Sequence, residues 1–181
     1  CIRDSNREGR SGSDICVSYF DGSEWSEPSV VHEVSSDEYS DFEPLLSPDG
    51  SQLFIMSDRP GGKGSMDLWV SSRTENGWGS PVNLEGPFNT PYMDHCIYFS
   101  GDNWEIAYWT STRPGGYGAN DIWTSEKIDG VWQEAVNMGP NINRELVDLF
   151  LNEIKFKEYI TVFFKYFVVR NHREFSHIKF N

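Results

Sequence analysis

Among the groups able to do chemistry, two arginine–aspartate spacings stand out. Arg59 lies eight residues before Asp67, and Arg113 eight residues before Asp121. A guanidinium beside a carboxylate can orient an oxyanion or steer a proton transfer. The second pair, however, repeats the first 54 positions later. A catalytic group is normally unique, so recurrence favours a structural role, with an aspartate capping loop amides and the arginine as its candidate partner. His32, His95, His172 and His177 show no metal-ligand spacing of the HExxH kind. Cys1, Cys16 and Cys96 form no spaced framework and read as incidental or buried thiols. No carboxylate pair suited to glycoside hydrolysis can be singled out among 28 Asp and Glu. No Gly-x-Ser-x-Gly and no EF-hand pattern is present, although acidic loops leave room for weak Ca²⁺ binding. No catalytic, metal or cofactor residue is assigned on these grounds.

Seven tryptophans remain. Trp25, Trp78 and Trp132 recur at the repeat spacing and read as packing residues, because an aromatic buries a large area while keeping its N–H at an edge. Trp104 and Trp109 fall outside the shared pattern, so these two are the candidates for a ligand surface.

The 181-residue chain is long enough for one domain with a real core. A net charge of −13 argues against a nucleic-acid partner, since phosphate binding needs a basic surface. Aromatic content of 15% argues against disorder, and no run of eighteen apolar residues is present to form a membrane span.

The elements that must position these residues are built repeatedly. "SDRPGGKGSMDLW" at 57–69 returns as "STRPGGYGANDIW" at 111–123. Asn83 then matches Asn137, Asn89 matches Asn143 and Asp94 matches Asp148. An earlier copy fits at a shift of 52 to 53, with Asp14 on Asp67 and Trp25 on Trp78. A period of this length, punctuated by Gly, Pro, Ser and Asp, points to a β repeat and not a helical one. The best copy reads as four strands. Glu43–Ser47 is followed by a Ser-Pro-Asp-Gly type I turn. Gln52–Ser57 carries "LFIM" with almost no alternation, as a strand covered on both faces would. Arg59-Pro60-Gly61-Gly62 supplies a turn in which Gly61 takes a positive φ, and Gly115 does the same in the next copy. Asp67–Ser72 is the third strand, and Trp78–Leu84 the fourth and outermost, where Pro81 is tolerated.

Taken together, the Ser-Pro-Asp-Gly turn, the Arg-Pro-Gly-Gly loop, the Asp-Leu-Trp and Asp-Ile-Trp strands and the Asn-x-x-x-x-Asp connection resemble the WD-like β-propeller repeats of TolB type, over about residues 2–150. The resemblance implies an all-β propeller of four-stranded antiparallel blades, at about 1–40, 41–93 and 94–147. It also implies a periplasmic, cell-envelope or secreted setting and a non-catalytic module binding protein or glycan. The alternative it leaves open is part of a glycan-active enzyme: a glycoside hydrolase, sialidase-like enzyme or lyase. A sialidase-type Asp-box is only partly matched by Ser47, Asp49 and Phe54, with Ser51 where glycine belongs.

Complete propellers of this kind hold more blades, so the expectation is an incomplete ring of about three, either part of a longer array or closed by oligomerising through open blade edges. The register places Cys1 within a strand, which weighs against reading it as a lipidated first residue. Residues 144–181 break the pattern: they hold seven of the twelve Phe and no Gly, Pro or Trp. Residues 149–181 are therefore expected to be an atypical tail, either a native extension or an ending foreign to the array. Within the broken stretch, 144–157 has the pattern of a short helix and 159–169 that of a strand.

Overall fold

The computed structural model describes residues 2–6, 12–101 and 103–143, all within one unit, Ile2–Leu149. The expected break in pattern after 143, the tail at 149–181 and the helix and strand assigned within that stretch lie outside the described residues. Among those described, all regular structure is β, and no helix is long and apolar enough to cross a membrane.

Three antiparallel sheets follow one another along the chain. The first comprises β1 (Ile2–Asn6), β2 (Ser13–Val17) and β3 (Ser29–Val30). The second comprises β4 (Asp41–Leu46), β5 (Gln52–Ser57), β6 (Asp67–Thr74), β7 (Gly77–Trp78) and β8 (Val82–Asn83). The third repeats it with β9 (Asp94–Ser100), β10 (Ile106–Ser111), β11 (Asp121–Ile128), β12 (Val131–Trp132) and β13 (Val136–Asn137). The chain meanders through each sheet, and every pairing is with a sequence neighbour except those of β8 with β6 and of β13 with β11.

The last strand differs from expectation. The continuous strand over Trp78–Leu84 is broken in two, and both pieces pair with β6: Trp78 opposite Arg73, and Asn83 opposite Trp69. The third sheet repeats the break, and the first places Trp25 opposite Phe20 before β3 begins. Proline is not the cause, because Ala135 stands where Pro81 does. A serine on the third strand holds the jog instead: the Ser71 hydroxyl donates to the Gly79 carbonyl and the Ser125 hydroxyl to that of Gln133.

The "LFIM" run is explained by two cores. Leu53, Ile55 and Trp69 pack with Ile15, Val31 and Val34 of the first repeat. Phe54 and Leu68 point the other way, into a core with Phe88, Phe99, Ala107, Trp109 and Trp123. Five of the six residues of β5 are buried, whereas β10 alternates buried and half-buried positions. Phe88 is 0% exposed and meets Trp109, Trp132 and Phe99 edge-on at ring-centroid distances of 5.1, 5.2 and 6.4 Å.

The turns keep the repeat in register and explain its drift from 53 to 54. Between β4 and β5 the Gly50 amide donates to the Ser47 carbonyl at 2.9 Å. Asp49 accepts from the Ser47 hydroxyl and from the amide and hydroxyl of Ser51, which holds its carboxyl down to about 2. Between Ser100 and Ile106 the chain carries one more residue, with positive φ at Gly101 and Trp104. Trp104 offsets that backbone cost by stacking on Phe99, with centroids 4.7 Å apart and planes 14° apart.

Phe88→Ala empties a site closed by three aromatic rings and is expected to lower unfolding free energy by about 3–5 kcal/mol. Val82→Ala, at a side chain 61% exposed, is expected to stay within about 0.5 kcal/mol. Denaturant unfolding of both variants checks this, and equal effects would contradict the two-core packing.

Candidate functional site

The repeated Arg and Asp residues are placed where structural work needs them. Asp67 accepts the amides of Lys63 and Gly64 at 2.7 and 3.0 Å, and Asp121 those of Tyr117 and Gly118 at 2.5 and 3.0 Å. Both glycines of each loop are required. Gly61 and Gly115 have φ near +94° and +95°, and a Cβ on Gly62 or Gly116 would collide with the aspartate Oδ2.

The arginine partner differs from the expected one. Arg59 binds Asp41, not Asp67, at 2.5 Å, and Arg113 binds Asp94, not Asp121, at 2.8 Å. Each arginine reaches back to the first strand of its own sheet. There it also donates to carbonyls of the segment entering that strand: Val34 for Arg59, Pro87 and Phe88 for Arg113. Each guanidinium lies over a tryptophan, Arg59 over Trp69 and Arg113 over Trp109 and Trp123, at 5.2–5.5 Å. With Asp41 and Asp94 0% exposed, these are buried pairs, and their other acceptors are satisfied by backbone and threonine. Asn89 and Asn143 complete the brace. Asn89 bonds both the amide and the carbonyl of Leu68, Asn143 does the same with Ile122, and Ser35 fills the role for Ile15 in the first copy.

Of the three tryptophans expected to pack, Trp78 is buried beneath Arg73 and Trp132 is half-buried beneath Lys127, whereas Trp25 is 54% exposed, its ring tilted against that of Phe20. Trp109 is 1% exposed in the second core, where it takes the column held by Ile55 one repeat earlier, so its ring offers no ligand surface. Trp104 is half-buried in its stack on Phe99, with Phe54 at 5.8 Å, and its ring packs against the same core.

The structure brings together a different set. Glu43, His95 and Cys96 place a carboxylate oxygen, an imidazole nitrogen and a sulfur within 4.8 Å of one another. Glu43 and Cys96 occupy the same position of successive first strands. Each strand carries a bulge there, between Phe42 and Leu45 opposite β5 and at the same point opposite β10. Both residues are left-handed, with φ of 53° and 54°. Such a φ is uncommon outside glycine, and it re-aims the side chain and amide out of the ladder. The freed Cys96 amide donates to Glu43 Oε2 at 2.7 Å, and the thiol donates to Oε1 at 2.9 Å. Sγ lies 3.2 Å from His95 Nδ1, and His95 Nε2 lies 3.3 Å from Asn120 Oδ1.

Burial pushes the Cys96 thiol up, and the Glu43 carboxylate, through its charge and its hydrogen bond, pushes it further. The thiol is therefore protonated at neutral pH and is a poor nucleophile as it stands. Sequence reading missed this set because Glu43 and Cys96 are 53 residues apart and meet only through the register of adjacent repeats. Aligning the copies column by column exposes it: His95, Cys96 and Asn120 stand where Phe42, Glu43 and Met66 stand one copy earlier.

No protein-family model, curated protein or solved structure matches this chain.

Two outcomes follow from this geometry. Asp67→Asn weakens two charge-assisted amide contacts and is expected to cost about 1–3 kcal/mol in thermal unfolding; an unchanged Tm would remove its structural role. In a Cys1→Ser background, alkylation of Cys96 by iodoacetamide at pH 8 is expected to be slow and to speed several-fold in Glu43→Gln. A rate indifferent to that change would show that the carboxylate does not hold the thiol proton.

Proposed function

We propose that the chain is a non-catalytic interaction module built as consecutive blades of a TolB-like β-propeller, working in the cell envelope or secreted space and binding protein or glycan. One observation carries this reading. The buried Arg–Asp brace, the amide-capping aspartate and the backbone-binding asparagine each occur in both the second and the third sheet, so the chemistry that catches the eye in the sequence is spent on architecture. Consecutive antiparallel sheets that share apolar cores with their neighbours support this reading, since adjacent blades pack in that way. Rigid sheets joined by short loops suit recognition by loop surfaces. The strongly acidic surface implied by a charge of −13 favours cationic or neutral partners over nucleic acid.

The reading opposed to it is a glycan-active enzyme. A panel of aryl-glycosides and soluble polysaccharides, assayed with the full chain for both turnover and thermal shift, separates the two. Saturable stabilisation without turnover is expected, because a ligand bound only by the folded state raises Tm. Turnover of any member of the panel would overturn the binding-module reading.

A further inference from the structure

We infer that Glu43, His95 and Cys96 form a binding site for a single borderline-soft divalent metal ion of the zinc class. The donor set is one carboxylate, one imidazole and one thiolate, supplied by equivalent bulges of two neighbouring sheets. Zinc takes sulfur at about 2.3 Å and nitrogen or oxygen at about 2.0–2.2 Å, so donors around a tetrahedral ion are separated by roughly 3.3–3.8 Å. The sulfur here is already 2.9 Å from Glu43 Oε1 and 3.2 Å from His95 Nδ1. To admit the ion the sulfur must draw back from the carboxylate oxygen by about 0.4–0.9 Å and from the imidazole nitrogen by about 0.1–0.6 Å.

The histidine is oriented to coordinate. In the tautomer whose Nε2–H donates to Asn120 Oδ1, the Nδ1 atom that faces the sulfur carries the lone pair. Metal-bound imidazoles generally give their other N–H to an oxygen acceptor in this way. Two of the three ligands and the orienting asparagine are also unrepeated. The preceding copy has Phe42 and Met66 in place of His95 and Asn120, while the shared brace residues on either side are kept. Residues that depart from a repeat where it is otherwise maintained are candidates for a local function. A thiolate and an imidazole exclude Ca²⁺ and Mg²⁺ as preferred occupants, because those ions take oxygen. Three protein ligands leave a fourth corner for water or an outside donor, as in zinc sites that bind or activate a further group. Binding replaces the thiol proton: Cys96–SH loses H⁺ to solvent as the S–metal bond forms, with no change of oxidation state.

Titration of the full chain with Co²⁺ alone reads out the sulfur directly, through a thiolate-to-cobalt charge-transfer band and the ligand-field bands of a tetrahedral ion. One equivalent is expected to bind, and Zn²⁺ is expected to displace it. Cys96→Ser is expected to abolish the charge-transfer band, whereas Cys1→Ser and Cys16→Ser keep it. Asn120→Met, which touches no donor atom directly, is expected to weaken affinity about 10–100-fold while leaving the band in place. A wild-type chain without the band at millimolar Co²⁺, or a Cys96→Ser chain that retains it, overturns the site. Circular dichroism of each variant separates loss of metal from loss of fold.

Discussion

The middle sheet is apolar on both faces, and that constraint governs the rest of the molecule. Leu53, Ile55 and Trp69 need one cover, and Phe54 and Leu68 need another. A lone sheet of this composition would expose two hydrophobic surfaces, each fully buried side chain being worth about 1.5–3 kcal/mol. Repetition is the simplest answer to such a surface, because each unit supplies the cover its neighbour lacks. The buried brace then has a clear purpose. Once sheets stack face to face, the chain must pass from the edge of one to the first strand of the next. Arg59 and Arg113 fix that passage by holding the incoming backbone carbonyls and the first aspartate of the new strand together.

Much of this was legible because it is local. The positive φ of Gly61, the amide-capping role of Asp67 and the two-faced burial of "LFIM" each depend on a few adjacent residues. What depended on register was not legible. Arg59 and Asp67 share a loop and look like partners, yet the guanidinium reaches a carboxylate 18 positions back in the sequence. Trp109 looks like an unshared surface aromatic because its residue type differs from Ile55, although both columns face the preceding sheet. The break in the outermost strand depends on a serine hydroxyl across the sheet, which no property of residues 78–84 announces.

The Glu43–His95–Cys96 set shows how a repeat acquires a local identity. The bulge is common to both copies and places one left-handed residue in each first strand. Equivalent bulges of neighbouring sheets meet, so any pair of residues at that column is brought into contact without new backbone design. Here the column holds a carboxylate and a thiol, with an imidazole adjoining. The architecture supplies the convergence, and three substitutions on a common frame supply the chemistry.

Aromatic and methyl nuclear Overhauser contacts of the strand Gln52–Ser57 test the face-to-face stacking most directly. Stacking of this kind predicts that the Phe54 ring contacts that of Phe99, its centroid 4.8 Å away, while Leu53 and Ile55 contact Ile15 and Val34 of the preceding repeat. A contact from Leu53 or Ile55 to Phe99, or the absence of any contact between Phe54 and the following repeat, would contradict it.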